Sequence, residues 1–119
     1  MAIPNIVSVS SIYGTTAVGV LTTTLTTTLV TAASDKVLKI NVIRCTNITD
    51  NDATVTLDVE VSGTHKKIAN EVTVPANSVV DIVDKNSSFY LQETDLLRGG
   101  ASTGSAIDFM VSYEILDDA

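Results

Sequence analysis

The sequence predicts a single all-β domain: an antiparallel β-sandwich of jelly-roll type, with about eight strands and an extended N-terminal arm. Three observations predict it. The 119 residues are 45% hydrophobic and 18% charged, enough for a real core, and Thr and Val outnumber the straight-chain helix formers. Short runs alternate apolar and polar residues with a period of two, most clearly from Ile107 to Ile115. Clusters of Gly, Pro, Asn, Asp and Ser separate these runs, and no segment carries a convincing helical stripe. One cysteine and no tryptophan leave out the immunoglobulin hallmarks, which favours the jelly roll. The expected organisation is an arm over residues 1–11, a sandwich over 12–116 and a loose polar tail over 117–119.

The elements follow in order. The arm alternates apolar and polar residues around Pro4 and suits an extended segment lying on another subunit or pairing at a sheet edge. Ile12 to Val20 follows, with Gly14 and Gly19 as expected bulge or bend points. Next comes "LTTTLTTTLV", Leu21 to Val30. Its fourfold leucine spacing fits a narrow helical stripe, but six β-branched threonines disfavour a helix. As a strand it places Leu21, Thr23, Leu25, Thr27 and Leu29 on one face and Thr22, Thr24, Thr26 and Thr28 on the other. Val37 to Ile48 is a strand whose alternation breaks at Ile43, as if covered on both faces. In "TVTLDVEV", Val55, Leu57, Val59 and Val61 are expected inside, with Thr54, Thr56, Asp58 and Glu60 outside. Ser62 to Thr64 makes a short hairpin turn into a less regular strand that ends at Pro75. "VVDIVDK" reads as a short buried strand, and another begins at Ser88 and turns at Glu93 to Asp95. A short strand near Leu96 to Arg98 precedes the loop "GGASTGS", and the last strand closes the domain.

Charge and chemistry narrow the function. The net charge of −7 disfavours nucleic acid and anionic membrane as partners, because both need clustered cations. No apolar run is long enough to span a bilayer as a helix, and the N-terminus lacks the pattern of a signal peptide. An intracellular or assembled-particle context is expected. Cys45 reads as an inert small hydrophobe in an apolar run. His65 is the single histidine, beside Lys66 and Lys67 after a turn, and reads as a solvated turn residue despite the nearby Ser62. Asp50, Asn51 and Asp52 offer oxygen ligands without the rest of a calcium loop. Glu93 and Asp95 read as turn carboxylates, and Gly99, Gly100 and Gly104 form no phosphate loop. Asn47 and Asn86 open chance glycosylation patterns. The sequence therefore predicts no enzyme: no catalytic residue, no metal and no cofactor. A stiff acidic β-domain of this kind serves by its surface.

"MAIPNIVSVSSIYG", the threonine run, "KVLKINVIRCTNI", "VTVPANSVVDIVDKNSSFYLQETDLL" and the closing "FMVSYEI" together resemble small virion structural proteins of tailed bacteriophages, of the marine and cyanobacterial phage type. The resemblance covers nearly the whole chain. The family usually has Gly-Asp where this chain has Thr94-Asp95, so a glycine turn is altered here. The resemblance implies a capsid decoration (cement) protein, assembled in the host cytoplasm and located in the virion. It would be a homo-oligomer, a trimer by preference, bound to the major capsid protein or other virion proteins. A neck, tail or fibre component is the alternative within the particle. A carbohydrate-binding adhesion module is a further one, with Tyr13, Phe89, Tyr90, Phe109 and Tyr113 as its available aromatics. The expected interface comprises Ile3, Pro4, Ile6 and Val7 of the arm and the threonine face Thr22, Thr24, Thr26 and Thr28. Deleting the first ten residues should then abolish particle binding.

Overall fold

The computed structural model describes residues 9–118. They form nine strands: β1 (Val9–Val20), β2 (Thr27–Thr31), β3 (Lys36–Asn47), β4 (Ala53–Val61), β5 (Thr64–Val74), β6 (Val79–Val83), β7 (Phe89–Leu91), β8 (Leu96–Ala101) and β9 (Ile107–Asp118). One sheet, sheet A, has the order β1-β9-β3-β6, with β7 also on β3; the other, sheet B, has β2-β8-β4-β5. All pairings are antiparallel. With β6 and β7 counted as one interrupted strand, first pairs with last, second with second-last, and so inwards to β4 with β5. That is the connectivity of one long hairpin rolled into two sheets, a jelly roll. The sandwich expected from the sequence is present, in that strand order.

Between the sheets lies one apolar core. Sheet A supplies Ile40, Ile43, Cys45, Ile107 and Val111, and sheet B supplies Val55, Leu57, Val74 and Leu97. Aliphatic residues do this work because β-branched and leucyl side chains pack well on a pleated surface. Asn47, also buried, is fully bonded. Its amide donates to the carbonyls of Asn51 and Val74, and its oxygen accepts from the Thr49 amide and hydroxyl.

Several elements differ from expectation for local reasons. The segment Leu21 to Val30 is not one strand. Only Thr27 onwards is extended, and Thr23 to Thr26 form a bend and turn. The backbone of this loop is claimed by the β8–β9 end of the sandwich: the Ala101 amide donates to the Thr22 carbonyl at 2.9 Å, and the Leu21 amide to the Ile107 carbonyl at 2.9 Å. Leu21 and Leu29 are core residues brought together across that loop, so their spacing marks two anchors.

Asn41 explains the broken alternation of β3. Ile40 pairs with Tyr113 and Val42 with Ser112, leaving Asn41 as the extra residue of a bulge. The bulge shifts the inward set from Leu38 and Ile40 to Ile43 and Cys45, so no double covering of that half is needed. Gly14 and Gly19 mark neither bulge nor bend, since the β1–β9 register is unbroken from Ser11 to Val20. A Cβ on Gly19 would fall 2.7 Å from Phe109 Cζ, so that glycine makes room for the ring.

β8 runs through Gly99 and Gly100, where a flexible loop was expected. β6 is an edge strand with only Val83 buried. In β4, Val59 is half-buried and Val61 exposed. At the termini, β1 starts at Val9, inside the expected arm, and β9 includes Asp117 and Asp118, which pair with Ser11 and Val9.

Turn backbones follow their residues. Ser62 and Gly63, at φ 51° and 83°, form the two-residue link between β4 and β5, both positive as a type I′ turn requires. Asparagine suits the first position better than serine. Ser62→Asn is therefore expected to raise stability by about 0.5–1 kcal/mol in denaturant melts. Thr94 lies at φ 70°, a conformation that favours glycine.

Candidate interaction surfaces

The expected interface residues fall into three groups. Ile3, Pro4, Ile6 and Val7 lie outside the described residues. Thr22, Thr24 and Thr26 are gathered by the β1–β2 loop. The Thr24 and Thr26 hydroxyls are 2.7 Å apart, those of Thr22 and Thr24 3.4 Å, and Thr22 reaches Thr27 at 3.2 Å. Thr28 stands apart from this hydroxyl cluster, in β2. The expected flat threonine face is thus a folded, exposed knot of hydroxyls resting on β8. Gly100 permits the contact: a Cβ there would lie 2.7 Å from the Thr24 carbonyl oxygen.

Beside this loop runs a polar groove of about 480 Å³ on the outer side of sheet B, lined by Thr54, Thr56, Lys67, Asn70, Glu71 and Ser102 among others. Farther along the same face, Arg98 and Asp58 are directly opposite on β8 and β4. The guanidinium donates to both carboxylate oxygens, at 3.0 and 2.6 Å. His65 stands over the pair, its Nδ1 3.8 Å from Asp58 and its Nε2 3.5 Å from Glu60. Period two correctly placed Asp58 on the outer face, but its side chain is 3% exposed because Arg98 and its neighbours cover it. The hydrogen bond from Arg98 to Asp58 raises the guanidinium pKa above its ordinary value. Sequence reasoning missed this pair; the signal that could have found it was an arginine in an otherwise apolar and glycine-rich strand.

Four other carboxylates hold turns. Asp95 is buried and accepts the amides of Ser62 and Gln92, joining the β4–β5 turn to the β7–β8 turn. Glu93 accepts the Asp35 amide. Asp50 accepts from the Asn77 side chain and Asp52 from the Ala76 amide, so both fasten the "PANS" turn. Among the described residues, no group of three or more His, Cys, Asp or Glu could hold a metal ion. The Cys45 thiol is buried, and desolvation, with a further push from Asp81, raises its pKa to about 12. A thiol reagent at pH 8 is therefore expected to leave native protein unmodified and to titrate one thiol after denaturation.

The outer face of sheet A is different in kind. One row across it reads Val20, Asp108, Thr46 and Val79, and the next reads Val18, Met110, Arg44 and Asp81. Val18, Gly19, Val20, Phe109 and Met110 line a shallow, mainly apolar depression of about 520 Å³. Val18 is 73% exposed, and Val20 and Val79 are also open. The Arg44–Asp81 bond at 2.6 Å holds the Asp81 carboxyl below its usual range, but both side chains face solvent, where such a pair contributes little stability. Tyr13 and Tyr90 are exposed but lie in adjacent rows of sheet A and so on opposite faces, whereas Phe109 is core and Tyr113 and Phe89 pack against that core, so the aromatics make no shared platform.

No family model matches the chain, and no curated protein matches it. Among solved structures, it is similar to a chain described by the words "Bacillus endospore appendages form a novel family of disulfide-linked pili". The identity is 16%, with 92% of this chain and 90% of that one covered, at a TM-score of 0.47.

Proposed function

We propose that the chain is a non-enzymatic structural subunit of a tailed-phage virion, and that it acts as a capsid decoration protein on the major capsid protein shell. The observation that carries a contact role is the outer face of sheet A. Val18, Val20 and Met110 line an apolar depression at the β1–β9 side of that face, with the charged Asp108 and the Arg44–Asp81 pair beside it, which suits docking on another protein better than exposure to water. The virion assignment rests on the resemblance in sequence. The jelly roll supplies a stiff body, and the sequence before Val9 supplies Ile3, Pro4, Ile6 and Val7 for burial on a shell subunit or pairing with its sheet.

Because β1 begins at Val9, the informative truncation removes residues 1–8 and spares the strand. The truncated protein is expected to keep its β-type circular dichroism and to lose binding to expanded shells. Saturation of shells by the truncated protein would remove the arm from the account. Val18→Asp with Val20→Asp tests the sheet-A face in the same assay and is expected to weaken binding at least tenfold.

The polar groove on sheet B favours a second reading, an adhesion module. Thr54, Thr56, Asn70, Glu71 and Ser102 offer the hydrogen-bonding groups that a sugar needs. A reproducible glycan-array hit abolished by Asn70→Ala would favour it.

A further inference from the structure

The four sheet edges are unequally protected. β5 carries His65, Lys66, Lys67 and Glu71, has two register shifts against β4, and holds Glu71 at φ 51°. β2 is five residues long and shifts register against β8. The opposite edge of sheet A is split into β6 and β7, of five and three residues, with a shift at Ile43/Arg44 and a charged Asp81. Charges, bulges and shortness are the devices that keep an edge from pairing with another chain.

β1 is neither charged nor short, and its one register shift lies at its end, between Val9 and Ser11. It is twelve residues long, its sequence VSSIYGTTAVGV contains no charged residue and no proline, and its register is unbroken from Ser11 to Val20. Among the described residues it pairs with β9 alone, so that among them its other side has no strand partner. In a protein of net charge −7, this uncharged edge is where a second acidic copy meets no opposing carboxylate on the strand itself.

We infer that β1 pairs antiparallel with β1 of a second copy of this chain, about a two-fold axis at Thr15, joining the two copies of sheet A into one continuous sheet. The strand's own chemistry selects this occupant and register. Alternate residues of β1 turn their N–H and C=O groups to β9, and the others turn them to the free edge. Opposed residues must therefore be an even number apart. With Thr15 opposite itself, Ile12 faces Val18 of the second copy, twice by symmetry. These are the most exposed apolar side chains of the strand, at 57% and 73%. On the other face Tyr13 meets Ala17, a large residue against a small one. Moving the axis to Thr16 would instead set Tyr13 against Gly19, whose open side the Phe109 ring already fills. Such a contact is isologous and closes on itself, so it makes dimers and not fibres. It does not depend on which particle, if any, the chain serves.

The test is register-specific crosslinking of the full chain. Thr15→Cys places two thiols directly opposite, at a cross-strand Cβ separation of about 4.5–5.5 Å, close enough for a disulfide after a small adjustment. Ala17→Cys, on the same strand and face, places its two thiols four residues out of register, about 13 Å apart along the strand. Under mild oxidation, Thr15→Cys is expected to become mostly covalent dimer and Ala17→Cys to remain monomeric in denaturing gels. The paired variant Ile12→Cys/Val18→Cys should also crosslink. Removal of residues 1–8 should leave the Thr15→Cys dimer intact while abolishing shell binding, which separates this inference from the arm proposal. Equal crosslinking of Thr15→Cys and Ala17→Cys, crosslinking of Thr16→Cys alone, a monomer in light scattering at 100 μM (a concentration on the order of 100 times a micromolar dissociation constant), or loss of the dimer on removing residues 1–8 would each overturn it.

Discussion

Arg98→Met is expected to lower stability by about 3 kcal/mol, seen as a fall in melting temperature of roughly 10 °C. The Asp58 carboxylate is 3% exposed and takes two hydrogen bonds from the Arg98 guanidinium. Methionine keeps much of the apolar stem that shields the carboxylate and removes the charge that compensates it. A buried ion left without its partner costs more than the pair contributes. Arg98→Ala opens the site to water and should cost less, nearer 1–2 kcal/mol. The order of the two variants is the informative outcome, because a simple loss of packing would make alanine the worse one. Arg98→Met with Asp58→Leu should recover most of the loss, which urea melts of the single and double variants would measure.

Gly100→Ala is expected to cost about 1–3 kcal/mol. The new Cβ would lie 2.7 Å from the Thr24 carbonyl oxygen and 3.1 Å from Leu25 Cα. Both contacts are backbone, so no side-chain rotation relieves them. The β1–β2 loop must lift, which breaks the bond from the Ala101 amide to the Thr22 carbonyl and loosens the seat of Leu21. Amide exchange at Ala101 should accelerate at least tenfold, while amides of the β3–β9 ladder change only as much as global stability requires. Gly99→Ala makes an instructive comparison. Its new Cβ would meet the ends of Leu57, Leu21 and Leu29, at 2.7, 3.0 and 3.1 Å. Leucine ends can adjust, so a uniform loss of stability without local opening is expected there.

Period two was legible wherever one sheet face is core, as in β9, where Ile107, Phe109 and Val111 are buried and Asp108 is exposed. Composition and turn residues were enough for the all-β sandwich. Bulges were not legible, because one inserted residue such as Asn41 reverses the phase without any marked signal in the sequence. The threonine run misled for a related reason. Its hydroxyls and β-branches suit a strand, but its path is set by two distant glycines on β8, and only tertiary contact reveals that Thr24 must cross Gly100. Asp58 was placed on the correct face, and its burial depended on an arginine forty positions away. The unguarded edge of β1 is different: its lack of charge is plain in the sequence, but it gains meaning only beside the guarded edges of β2, β5 and β6.

Copy number tests the central proposal most directly. Purified phage particles that carry this chain can be compared, by quantitative mass spectrometry, for the ratio of the chain to the major capsid protein. A decoration role requires the two to be present in comparable amounts, with hundreds of copies per particle. A few to tens of copies would move the chain to the neck, tail or a fibre, and its absence from washed particles would contradict a structural role in the virion.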